Sequence, residues 1–289
     1  MKIGISSYSL NSCIESGEMD IGSAIRWIAE QGAEHVEIVP LSAMKERMKD
    51  GKYVAEIRRA AEEAGLELSN YAVGGNFAGK DDAALAGEIA RIKEQVDIAH
   101  ALGVKRMRHD TARRPMAQCS ADWFERDLPA VADACREIAD YAAGYGITTS
   151  LENHGYYVQT ADRVLRILHA VNRPNFKTTV DVGNFLCADE DPHVAVAKVI
   201  GHASMVHIKD FYYRQRCKNP GEGWFETLNG NYLRGAIAGC GYLDMPHLLS
   251  TIKSSGYNGY LSIEFEGMEP AVVGARIAFQ NVRRIWYES

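Results

Sequence analysis

Residues 205–211 read Met-Val-His-Ile-Lys-Asp-Phe, and their alternation decides how the chain is organised. In an extended strand, side chains two apart share a face. Val206 and Ile208 then occupy one face, and His207 and Lys209 the other. A short strand with one apolar face and one face bearing an imidazole and an ammonium requires two different surroundings. A barrel of parallel strands supplies them, because helices cover its outside and its inner face becomes polar towards the C-terminal mouth.

The same alternation recurs in three more segments. In Thr148–Asn153, Leu151 points outward while Ser150 and Glu152 point inward. In Lys177–Gly183, Val180 points outward and Thr179 and Asp181 inward. In Tyr260–Gly267, Leu261 and Ile263 point outward and Ser262 and Glu264 inward. Further strand patterns begin at Lys2, His35, Leu66 and Val104, which makes eight in all. Amphipathic stretches fill the gaps, several of them ending on glycine (Gly32, Gly65, Gly103, Gly146, Gly201, Gly256), the residue that favours a helix stop. Thr160 and Asp244 stand where helix N-caps are expected. Eight alternations of strand and helix predict a single-domain α/β fold, a (β/α)8 TIM barrel over residues 1–289. The rival, a doubly wound open sheet, normally has a glycine-rich phosphate loop after the first strand, and the segment Ser6–Cys13 is nothing of that kind. The longest connection, 211–243, carries Gly221, Gly223 and Gly230 beside Trp224, Phe225 and Tyr232. Residues 212–235 are expected to form a mobile cover over the mouth.

Composition narrows the function. The 289 residues are 46% apolar and 24% charged, which fits a globular protein. No apolar run approaches the about 18 residues of a membrane span, and the opening MKIGISSYSL lacks the long apolar stretch of a secretion signal. A net charge of −6 argues against nucleic acid as the main partner. The six cysteines contain no CxxC, so reduced thiols and a cytoplasmic location are expected.

Glu152, Asp181, His207 and Glu264 would converge on one cavity. Three carboxylates in a water-poor site repel one another, and a divalent cation removes the conflict. A donor set rich in oxygen suits Mn²⁺, Mg²⁺ or Co²⁺, with Zn²⁺ as a further option. Lys209 is expected either to bind a substrate oxygen or to pair with Asp210. Glu37, Arg108 and His154 are further lining candidates; Arg108 and His109 alternate, so only one of them can point inward.

The segments SLENHG, TVDVGN, VHIKDF and LSIEFEG resemble the sugar phosphate isomerase/epimerase superfamily, the xylose isomerase-like barrels, along essentially the whole chain. The resemblance implies metal ligation by Glu152, Asp181, His207 and Glu264. It also implies proton transfer by Glu152 and Glu264 on opposite faces of a carbohydrate or polyol substrate. Glu264 is preferred over Glu266 because its SIE context fits the family pattern. Where several epimerases of the family have a substrate-contacting histidine, this chain has Asn184, a hydrogen-bonding residue. The implied activity is a metal-dependent isomerase or epimerase working through a metal-bound cis-enediolate. The alternative is a dehydratase or lyase acting on a keto-sugar, keto-inositol or 3-keto-glycoside. No membrane partner is implied, and a homo-oligomer stays open.

Overall fold

The computed structural model describes residues 1–288. Its strands are β1 (Lys2–Ser6), β2 (His35–Ile38), β3 (Glu67–Val73), β4 (Arg106–His109), β5 (Thr148–Glu152), β6 (Phe176–Asp181), β7 (Ala203–Ile208), β8 (Asp210–Arg214), β9 (Phe225–Glu226), β10 (Tyr232–Ala236) and β11 (Tyr260–Ile263). The helices are α1 (Asn11–Glu15), α2 (Ile21–Glu30), α3 (Gly51–Glu63), α4 (Asp82–Leu102), α5 (Ala121–Ala143), α6 (Ala161–Val171), α7 (Pro192–Val199), α8 (Met245–Ser254) and α9 (Ala271–Glu288). Eight strands close into a parallel barrel in the order β1-β11-β7-β6-β5-β4-β3-β2. The first and last barrel strands close it, with Lys2 opposite Tyr260 and Ile5 opposite Ile263.

Outward residues of the strands (Ile3, Val36, Leu151, Val180, Val206, Leu261) are buried beneath the helices, so the main core is the layer between barrel and helices. Charged N-caps define many helix starts. Asp20, Asp81 and Asp191 each accept a backbone N–H from their own first turn. Asp244 caps α8 as expected, accepting from His247 N–H at 3.1 Å. Thr160 stands at the start of α6 but makes no capping bond; Glu190 instead accepts the Ala161 N–H at 2.8 Å.

Inside the barrel, His35 fills the space at the level of Gly4. A β-carbon on Gly4 would lie 2.1 Å from the His35 carbonyl oxygen and 2.7 Å from its ring, so only glycine fits there. The two faces of β4 separate Arg108 from His109. His109 turns outward against Phe77 and Phe176, with ring centroids at 5.9 and 6.1 Å, and Arg108 turns inward.

The strand expected to continue through Phe211 breaks at Lys209, where the chain leaves the barrel. Asp210 turns it: its carboxylate accepts the backbone N–H groups of Phe211, Gly239, Gly241 and Leu243. A β-carbon on Gly241 would lie 2.2 Å from that carboxylate. The pairing of Asp210 with Lys209 is therefore not formed, because backbone donors occupy both carboxylate oxygens.

The connection expected to be a mobile cover is a three-stranded antiparallel sheet in the order β8-β10-β9. Arg234 stacks over Tyr212 at 4.8 Å and over Trp224 at 5.3 Å, and Phe211 meets Phe225 at 5.7 Å. Asp189 accepts hydrogen bonds from Thr227, Asn229 and Asn231, which ties the sheet to the loop after β6. None of residues 212–235 lines the large cavity at the barrel mouth.

Candidate metal centre and its cavity

Strands β5, β6, β7 and β11 end at the same mouth of the barrel. There Glu152, Asp181, His207 and Glu264 are all buried, and each offers one ligand atom within 4.8 Å of the others. Local bonds aim them. The side chain of Asn153 donates to the Asp181 carbonyl at 2.8 Å and accepts the Asp181 N–H at 2.9 Å, locking two strand ends together. Asp181 Oδ1 accepts the N–H groups of Gly183 and Asn184, at 2.8 and 2.9 Å. Its Oδ2 faces the Lys209 ammonium at 3.3 Å, and Glu152 Oε2 is ion-paired with the Arg108 guanidinium. Glu264 follows β11 directly, anchored by its N–H to the Ile208 carbonyl at 3.1 Å.

Glu37 supports His207 from beneath. The Nε2 of His207 lies 3.0 Å from Glu37 Oε1, and Asn70 donates to the same oxygen at 2.7 Å. A proton held on Nε2 leaves the Nδ1 lone pair facing Glu152 at 3.2 Å and Glu264 at 3.7 Å. This is the carboxylate–histidine arrangement that orients a metal-ligating imidazole. Glu37→Gln should therefore weaken divalent-cation binding by about tenfold to a hundredfold while leaving the fold intact. Calorimetric titration with Mn²⁺ checks this, and unchanged affinity would exclude the orienting role.

Electrostatics point the same way. Burial penalises the charge on Glu37, but the His207 cation and its hydrogen bond outweigh that and hold the carboxyl at about 2. Burial pushes Glu264 up to about 7 despite Lys209 and His207. Burial also raises Asp181, against the attraction of Lys209. Glu152 is held well below the usual carboxylate range: Arg108 and His207 overcome its burial. Burial disfavours the His207 cation, yet Glu37, Glu264 and Glu152 drive its pKa well above the usual value. The cluster thus collects protons and ammonium charge wherever it can. A buried set of three carboxylates and one imidazole, each offering a ligand atom to one point, is an oxygen-rich donor set that fits a hard divalent cation.

Lys209 extends the cluster. Its ammonium lies 2.6 Å from Glu264, 3.3 Å from Asp181 and 3.3 Å from Glu266. Asn184 donates to Glu152 Oε1 at 3.4 Å. His154 borders the cavity 3.2 Å from Asp110, whose charge raises the imidazole pKa. Every site residue expected from the sequence lies in or beside this one locus. Glu266 lies beside the cluster rather than in it. Asp110 was missed, although it shares the face of Arg108 two residues on; it lies 3.4 Å from that guanidinium. Tyr8 also borders the cavity, in the turn after β1, where no strand alternation could have marked it.

The cavity over the cluster measures about 800 Å³. Fold and cluster together define a (β/α)8 barrel with a candidate cation site at its C-terminal mouth. The model of the xylose isomerase-like TIM barrel family matches residues 25–285, and the chain belongs to that family. Escherichia coli 3-keto-D-glucoside 4-epimerase has the same fold, with a TM-score of 0.75 over 98% of this chain and 99% of its own at 18% identity. The 3-oxo-isoapionate decarboxylase of Pectobacterium atrosepticum is 32% identical over 114 residues, 39% of this chain and 38% of its own length. Inosose dehydratase of Bacillus licheniformis is 24% identical over 138 residues, 46% of this chain and 45% of its own. The chain spans less than half the length of these curated relatives. Among the described residues no helix is long and apolar enough to cross a membrane.

Proposed function

We propose that the protein is a divalent-metal-dependent enzyme that isomerises or epimerises a keto-sugar or keto-polyol. Glu152 and Glu264 carry the proton. The observation that carries this reading is the convergence of four buried ligand atoms within 4.8 Å, two of them from residues that line the cavity, Glu152 and Glu264. Glu152, Asp181, His207 and Glu264 would hold the cation, which when bound acts as a Lewis acid towards a substrate carbonyl. Glu152 ends β5 and Glu264 follows β11, so the two carboxylates approach from different sides of the barrel. One removes the proton from the carbon beside the carbonyl and the other returns one. Lys209 and Arg108 offer cationic donors to the negative charge that develops on the substrate oxygens. Return of the proton to the neighbouring carbon gives an isomerase; return to the opposite face gives an epimerase.

A lyase is the second reading, favoured by the His154–Asp110 pair at the cavity wall. An imidazole whose basicity the Asp110 charge raises is placed to pass a proton to a departing hydroxyl. The names of the relatives, a 3-keto-glucoside epimerase, a 3-oxo-acid decarboxylase and an inosose dehydratase, support a substrate with a ring or chain carbonyl under either reading.

The test is a screen of ketoses, inososes and 3-keto-glycosides with Mn²⁺-reconstituted protein in D₂O, read by mass and NMR. Rearranged product of unchanged skeleton, carrying deuterium where solvent exchange competes, is the expected result. Loss of water or carbon dioxide would establish the lyase class instead. Direct hydride transfer between neighbouring carbons, traced with deuterated substrate, would contradict the proton-transfer mechanism.

A further inference from the structure

Resting on the reading of the cluster as a metal centre, we infer that Lys209 is an internal cation that competes with the metal for Asp181 and Glu264, and that Glu266 is the positioning residue that takes over its ammonium when the metal binds. The competition follows from which oxygens are available. Asp181 Oδ1 already accepts the N–H groups of Gly183 and Asn184, so Oδ2 is the oxygen left to ligate a cation. Lys209 Nζ lies 3.3 Å from that same Oδ2. It also lies 2.6 Å from Glu264 Oε2, while Glu264 Oε1 faces His207 Nδ1 at 3.7 Å. One buried ammonium thus sits against two of the four candidate ligands. An ammonium and a divalent cation on the same oxygens repel each other strongly where little water screens them.

Glu266 offers the ammonium another partner. It follows Glu264 by two residues, and its carboxylate lies 3.3 Å from Lys209 Nζ. It is not one of the four converging ligands, and its side chain is 33% exposed at the cavity wall, where water still reaches it. The backbone of Lys209, in contrast, is fixed. A β-carbon on Gly183 would lie 2.9 Å from the Lys209 carbonyl oxygen and 3.2 Å from its Cβ, so the turn after β6 packs against the lysine without a gap. The movement is therefore confined to the flexible four-carbon stem, whose rotation carries the ammonium from Asp181 and Glu264 towards Glu266. Lys209 and Glu266 both line the cavity, so an ammonium held by Glu266 stays there as a donor to a bound substrate. Without Glu266 it would fall back onto the ligand oxygens.

The test is a double-mutant cycle on metal affinity. Mn²⁺ is titrated calorimetrically, at one pH, into the wild type, Lys209→Met, Glu266→Gln and the double variant. Lys209→Met should bind Mn²⁺ at least about tenfold more tightly, because a competing charge is gone. Glu266→Gln should bind about threefold to tenfold more weakly, and in the Lys209→Met background the same change should alter affinity less than about twofold, since it acts through the lysine. A merely structural role for Glu266, or a long-range effect of its charge, would weaken binding equally in both backgrounds and would overturn the positioning role. Thermal unfolding adds a second readout. Without metal, Lys209→Met should unfold at a lower temperature than the wild type, because buried carboxylates lose their counter-ion; saturating Mn²⁺ should narrow or reverse that gap. Lys209→Gln, which keeps a polar head, replaces the methionine variant in the cycle if that variant does not fold. Unchanged or weaker Mn²⁺ binding by the folded lysine variant, with binding by the wild type, would overturn this inference and leave the metal centre standing. No Mn²⁺ binding by the wild type or any variant would overturn the metal centre itself, and this inference with it.

Discussion

Replacing Glu152 or Glu264 by glutamine is expected to lower kcat by about a hundredfold or more, with KM changed far less. Glutamine keeps the shape and one acceptor oxygen but cannot take up or return a proton. The two replacements should also differ in side effects. Glu152→Gln leaves the Arg108 guanidinium without its nearest carboxylate, whereas Glu264→Gln leaves Lys209 still held by Asp181 and Glu266. Some stability loss is therefore expected for the first and less for the second. Each variant must be assayed at saturating metal with its metal content measured, since both residues are also candidate ligands. A metal-loaded variant that turns over at the wild-type rate would remove that glutamate from the proton-transfer step.

Chelation of the metal should abolish turnover, and rebinding should release protons. In the cation-free cluster the Glu37 and Glu264 carboxylates hold the proton on His207, and burial holds Glu264 near 7. A divalent cation must displace those protons. The sign follows: the metal-free state binds more protons, so affinity rises as pH rises. Between about pH 6 and 7 the gain should be about tenfold or more per unit, reflecting one to two protons released. Binding should stabilise the fold by about 2.7 kcal/mol at a hundredfold excess over Kd. Titrations in buffers of different ionisation enthalpy count the protons, and thermal unfolding with and without metal measures the stabilisation. An affinity that is flat in pH, or no change in Tm on adding Mn²⁺, Mg²⁺, Co²⁺ or Zn²⁺, would mean that the cluster is a charge network held by Lys209 and Arg108 and not a metal centre.

Strand alternation is a local property, and that is why so much was legible in the chain alone. Side-chain direction along a strand has a period of two whatever lies around it. Once eight strand–helix units were read, the faces of Glu152, Asp181, His207, Lys209 and Glu264 followed, and the closed barrel places them together. Glu37 could be named as a lining residue from the same logic, but its bond to the far side of His207 could not, because β2 and β7 are brought together only by closure. The choice between Arg108 and His109 needed the helices packed on β4. Beyond the strand ends the alternation stops. The sequence could not tell that Asp210 would bind four backbone N–H groups rather than Lys209, or that 211–243 would fold into a sheet tied down by Asp189. Those outcomes depend on donors supplied by segments tens of residues away. The faces of the strands were written in the sequence by local geometry, while the partners of the loop residues were decided by tertiary contacts between distant segments.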